Sequence, residues 1–135
     1  MLPVQRELVD KAWRLVGDML AKDIQAKGDG RFLEDIRRSL AQGQRQLFLI
    51  IQGTVPAGAI IAGLDPHRGG RSMTCHYVAG TVSAWLDRVL ADLEAWGKRH
   101  GCEILRIALA PRHAGLARAL ELDTEHVLYR RELGE

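Results

Sequence analysis

Apolar residues recur at helical spacing along the first part of the chain. Leu8, Ala12, Leu15 and Met19 fall at intervals of four, three and four residues, and Val9, Val16 and Leu20 widen the stripe. This predicts a helix from Pro3 to about Ile24. Proline suits a first helical turn, where its missing N–H leaves no bond unmade. Gly28-Asp29-Gly30 breaks the pattern. A second, shorter helix follows, with Phe32, Leu33, Ile36 and Leu40 on one face and Gly43 as its C′ stop.

From Gln46 the pattern changes to strand-length apolar runs. Leu47 to Ile51 and Ala57 to Leu64, joined by Gly53-Thr54-Val55-Pro56, predict an antiparallel hairpin. Asp65 to Arg71 reads as a flexible basic turn, and Met73 to Ala79 as a third strand. Gly80-Thr81 opens a long helix from Val82 to about His100, with Leu86, Val89, Leu90, Leu93 and Trp96 as its buried stripe. Gly101 ends it. Glu103 to Ala110 is the next strand, and a strand–helix–strand unit makes the two strands parallel through a right-handed crossover. Pro111 to Leu120 reads as a short helix and His126 to Leu133 as a final strand.

These elements form a single α+β domain over residues 1–135, long enough to bury a core. The chain is 47% hydrophobic and 27% charged, with a formal net charge of +2. Its basic and acidic residues are interspersed, and no Lys/Arg stripe with interleaved aromatics occurs, which argues against nucleic-acid binding. The longest apolar run, Leu47 to Ile51, is too short to span a bilayer, and the opening residues carry no signal-peptide pattern. A cytoplasmic setting without membrane attachment is the expectation. Cys75 and Cys102 lack partners at metal-ligand spacing and read as free thiols. Of the tryptophans, Trp96 lies on the helix stripe and reads as core, Trp85 borders it, and Trp13 marks either a docking surface or partial burial.

The order of two helices, hairpin, third strand, long helix, parallel strand, short helix and last strand resembles the Gcn5-related N-acetyltransferase (GNAT) fold: a mixed sheet with an N-terminal helix pair, an antiparallel hairpin and a parallel strand pair joined by a long crossover helix. The resemblance covers nearly the whole chain and lacks only a first strand before Pro3. Several segments are similar to small GNAT-like proteins encoded by tailed bacteriophages. They include Trp13 leading to Gly28-Asp29-Gly30-Arg31, Gln46-Leu47-Phe48, Trp85-Leu86, Leu93-Glu94-Ala95-Trp96, His100-Gly101-Cys102 and Gly115 to Leu120.

What the resemblance implies can be compared with the residues present. The family holds coenzyme A where its two parallel strands splay apart, with an Arg/Gln-x-x-Gly-x-Gly/Ala turn offering N–H groups to the pyrophosphate at a helix N-terminus. The matching stretch here is Tyr77-Val78-Ala79-Gly80-Thr81-Val82. Only Gly80 fits; Val82 stands at the small last position, and the leading Arg/Gln is absent. Gly80 is therefore read first as a residue that lets the strand turn into the helix. The family's acid, a tyrosine on the short last helix, is missing, and Tyr129 comes later. His76 is the candidate base, read first as an ordinary packed or surface residue. Arg112 and His113 should lie near Gly80-Thr81, where a guanidinium could hold an anion.

The resulting reading is a GNAT-fold domain without acetyl transfer and without a cofactor. It would serve as an interaction module with protein partners, the structural proteins of a tailed-phage particle being those the resemblance suggests. The competing reading is a divergent acetyl-CoA-dependent N-acetyltransferase. Gly80, Thr81, Val82, Ser83 and Arg112 would then take the pyrophosphate, with His76 or a water as base.

Overall fold

The structure, a computed structural model, describes residues 1–81, 85–110 and 113–123, without the side chains of Leu86 and Asp87. Among the described residues five strands form one mixed sheet in the order β1-β2-β3-β4-β5. They are β1 (Leu2–Val4), β2 (Gln46–Gln52), β3 (Val55–His67), β4 (Gly70–Gly80) and β5 (Cys102–Ile107). The first four pair antiparallel, and β4 and β5 run parallel, as the crossover argument requires. The helices are α1 (Val9–Ala26), α2 (Leu33–Ala41), α3 (Leu90–Arg99) and α4 (Ala114–Ala119). A wider, π-type turn over Trp85–Val89 leads into α3.

The chain begins differently from the expected helix. Pro3 lies in an edge strand opposite Phe48, and α1 starts only at Val9, after a 3₁₀ turn over Arg6–Leu8. An edge strand tolerates proline because one side of it has no neighbour to receive an N–H. Three residues are too few to show an alternating pattern, so the sequence carries no periodic signal for this strand. The apolar stripe of α1 is rotated as well: Leu8 and Leu15 are 51% and 59% exposed, while Val9, Ala12, Val16, Leu20 and Ile24 are buried. Trp13 is partly buried against the core to which Val9, Val16 and Leu20 belong. Its indole lies across Gly17, where an added Cβ would come within 2.6 Å of Trp13 Nε1.

The expected basic loop from Asp65 to Arg71 is mostly strand. β3 continues to His67 and β4 starts at Gly70, leaving a two-residue turn. Arg68 and Gly69 both take positive φ, 46° and 86°, as the tight turns that match strand twist demand. Cys102–Ile107 and Ala114–Ala119 are shorter than the strand and helix expected there. The expected final strand and Tyr129 lie outside the described residues.

Two cores sandwich the sheet. On one face Phe48, Ile60, Val78 and Cys75 meet Trp85, Val89, Leu93 and Trp96. On the other, Leu47, Ala59, Ile61 and Tyr77 meet α1 and α2 through Val16, Leu20, Ile24, Ile36 and Leu40. Phe48 and Trp96 make an edge-to-face pair with centroids 5.1 Å apart. Among the described residues no helix is long and apolar enough to cross a membrane.

Candidate functional site

β4 carries a bulge at the centre of the sheet. Its register with β3 passes from Ile61↔Tyr77 to Ala62↔Cys75, so His76 is an extra residue with no partner. Nearby, β4 and β5 part company. Their ladder runs from Arg71↔Cys102 to Cys75↔Ile107, and the Ala108 N–H still donates to the Cys75 carbonyl at 2.9 Å. In a continuing parallel ladder the Ala108 carbonyl would take the next N–H along β4. Instead it accepts from the Lys27 ammonium at 2.6 Å.

Lys27 and Asp23, one turn apart at the end of α1, fill this splay. Lys27 Nζ also donates to the His76 carbonyl at 2.8 Å and to Asp23 Oδ2 at 2.7 Å. Asp23 Oδ2 in turn accepts the Val78 N–H at 2.9 Å. An ammonium has three N–H donors, and these three acceptors match them. The Asp23 side chain is 0% exposed and that of Lys27 15%. A third contact continues the row: the Tyr77 hydroxyl donates to Asp29 Oδ2 at 2.8 Å. Three residues at and after the end of α1 thus fix three consecutive residues of β4. Burial, reinforced by the hydrogen bond to Asp29, pushes the Tyr77 phenol up to about 12.

Sequence reasoning missed Asp23 and Lys27, although a signal was there. They extend the buried row Val16–Leu20–Ile24 at helical spacing, so a carboxylate and an ammonium sit on the core face of α1 one turn apart. Opposite charges placed on an apolar face read as a buried pair with something to hold.

His76 itself is half-buried on the bulge. Its Nε2 lies 3.2 Å from where a Cβ on Gly63 would stand, so the glycine makes room for the imidazole. Burial, together with the positive charges of Arg45 and Lys27, lowers its pKa against the opposing pull of Asp65. The folded imidazole is therefore expected to titrate in NMR below the ordinary value of about 6.5. As pH falls from there, the unfolded chain takes up a proton that folded His76 resists, so stability falls with pH across that window. His76→Gln should flatten this slope. An NMR titration of His76 at or above the ordinary value contradicts the assignment.

The remaining expected site residues divide. Gly80 has φ 137°, and a Cβ there would lie 3.3–3.4 Å from Ala57 O, Gly58 Cα and Trp85 Nε1. Glycine is thus required by the strand-to-helix turn itself, opposite Gly58 on β3. Thr81 is exposed, and its carbonyl accepts the Trp85 N–H at 3.2 Å. Val82, Ser83 and Arg112 lie outside the described residues. His113 precedes α4. Cys75 and Cys102 are free thiols, and burial pushes the Cys75 thiol up to about 12, so it stays protonated at neutral pH. Among the described residues no group of three or more His, Cys, Asp or Glu is placed to hold a metal ion.

The pantetheine arm that the resemblance puts in the splay would need free backbone groups along its walls. Here the Val78 N–H and the His76 and Ala108 carbonyls are already bonded to side chains of α1. Among the described residues, these backbone groups of the splay are not open to a coenzyme A arm in this arrangement.

No family model matches the chain, and no curated protein sequence matches it. Solved structures do. A probable acetyltransferase superposes with a TM-score of 0.67 at 11% identity, over 99% of this chain and 98% of that one. A ribosomal-protein-alanine N-acetyltransferase from Brucella melitensis biovar Abortus 2308 gives 0.64 at 15%, with 97% of each chain covered. An aminoglycoside N-acetyltransferase in complex with CoA gives 0.62 at 18%, over 97% of this chain and 92% of that one. With the five-stranded mixed sheet and the bulged, parting β4, these likenesses show that the chain has the Gcn5-related N-acetyltransferase fold.

Proposed function

We propose that this domain is a non-catalytic member of the acetyltransferase architecture that works by binding another protein. One observation carries the proposal: the Lys27–Asp23 pair fills the splay and takes up the backbone groups a thioester arm would need. Bringing coenzyme A into that gap would expose three acceptors and separate a buried ion pair, which is strongly unfavourable unless the ligand replaces every bond. The partners suggested by the sequence resemblance are structural proteins of a tailed-phage particle.

A second reading is a divergent acetyl-CoA-dependent N-acetyltransferase. Two observations favour it: the solved neighbours are named as acetyltransferases, and His76 is held toward its neutral form, as a base must be. That reading requires Lys27 to leave the splay.

Calorimetric titration with acetyl-CoA up to millimolar concentration separates the two. No binding heat is expected from the wild-type domain. Saturable binding that disappears in Gly80→Trp would overturn the non-catalytic reading and establish the second.

A further inference from the structure

The core of the domain uses only one of the two apolar rows on α1. Val9, Val16 and Leu20 are buried in it, whereas Leu8 and Leu15, about 10 Å apart along the helix, stay exposed. With the buried Ala12 and the half-buried Met19 they form a row spaced by four, three and four residues. That is the spacing of a seam that receives another helix. α2 does not supply that helix. Arg37 of α2 bonds Asp10 Oδ1 at 3.0 Å, and Asp10 stands about 140° round α1 from Leu15.

The charges beside the row indicate what fits it. Lys11 and Asp18 are exposed next to the seam, and Glu7 and Lys22 are exposed farther out toward its two ends. Lys11, Asp18 and Lys22 join no ion pair among the described residues. Glu7 meets Arg6 at 3.4 Å in a pair exposed on both sides, and such pairs hold a side chain weakly. The signs are self-complementary. Lys11 and Asp18 lie equally far before and after the point between Arg14 and Leu15, and so do Glu7 and Lys22. A second α1 laid antiparallel across the first about a two-fold axis at that point sets Lys11 against Asp18 and Glu7 against Lys22, each twice. A parallel pair would set Lys11 against Lys11 and Asp18 against Asp18, which repels.

From this arrangement we propose that the outer row of α1 binds a second copy of this chain, helix against helix and antiparallel. Leu15 lies at the centre, and the Lys11–Asp18 and Glu7–Lys22 pairs fix the direction. A single helix pair buries less than a standard interface, so the dimer is a weak one. The contact is independent of whether the domain binds acetyl-CoA.

Sedimentation equilibrium of the full chain from about 10 μM to about 1 mM tests it. A reversible monomer–dimer equilibrium is expected for the wild type. Leu15→Glu changes an exposed position and should weaken association about tenfold or more. Val55→Glu, at an equally exposed apolar position beside the β2–β3 turn, should leave it unchanged. Lys11→Asp should weaken association, and adding Asp18→Lys in the same chain should restore it, because the exchange rebuilds each pair with its signs reversed. The proposal is overturned if the wild type stays monomeric at about 1 mM, or if Leu15→Glu associates as tightly as the wild type. It is equally overturned if Val55→Glu loses as much, or if the double exchange associates no better than Lys11→Asp.

Discussion

Asp23→Ala is expected to destabilise the domain by about 3–5 kcal/mol, the cost of breaking a buried ion pair by removing one partner. The carboxylate is fully buried and holds the Lys27 ammonium and the Val78 N–H. Its removal takes the acceptor from the Val78 N–H and the carboxylate from beside the Lys27 ammonium, which also donates to two strand carbonyls. Removing both charges is a different experiment. In Asp23→Leu with Lys27→Met, apolar side chains of similar length replace the pair, and such exchanges are often near neutral. The double variant is therefore expected to be more stable than Asp23→Ala, with a coupling energy of about 1–3 kcal/mol in the mutant cycle. Urea unfolding of the wild type, the single variants and the double variant measures it. Additive losses would mean that the pair does not act as one unit in the splay, and the proposed function would lose its main support.

The second large effect is expected at Trp85. Its side chain is fully buried beneath the strand-to-helix turn, with Nε1 close to Gly80, and it packs with Phe48, Val78 and Val89 in the core that α3 lays on the sheet. Trp85→Ala should cost about 3–5 kcal/mol through lost burial and the cavity left behind. Trp85→Phe keeps most of the ring and should lose less. Thermal unfolding followed by circular dichroism reads both. A loss below about 1 kcal/mol for Trp85→Ala would place the indole on a surface and not in the core.

Periodicity made much of the architecture legible. The α2 stripe, the hairpin, the crossover helix and the parallel pairing all follow from runs whose period or length specifies an element. The failures share a cause. Leu2–Val4 is a strand because β2 offers it an edge, not because Leu-Pro-Val favours one. The α1 stripe is rotated because two overlapping apolar rows compete on the same helix, and only packing against β3 and β4 selects Val9–Val16–Leu20 over Leu8–Leu15. Asp65 and Arg71 are strand residues because the tight turn at Arg68-Gly69 closes the hairpin beyond them.

The candidate site divides in the same way. Gly80 and His76 are visible in the sequence as residue types; the structure gives Gly80 a φ of 137° and makes His76 the extra residue of a bulge.

On its own, the order of apolar runs determined the domain type, the parallel pair and the acetyltransferase-like connectivity, because short-range spacing dictates secondary structure and chain continuity restricts how strands can join. Only the tertiary structure decided what lies between the parting strands. Asp23 and Lys27 reach Val78 and Ala108 across 55 and 81 residues of sequence. Whether a charged pair on a helix meets water or a backbone gap depends on how that helix is docked, and local sequence carries no record of that geometry.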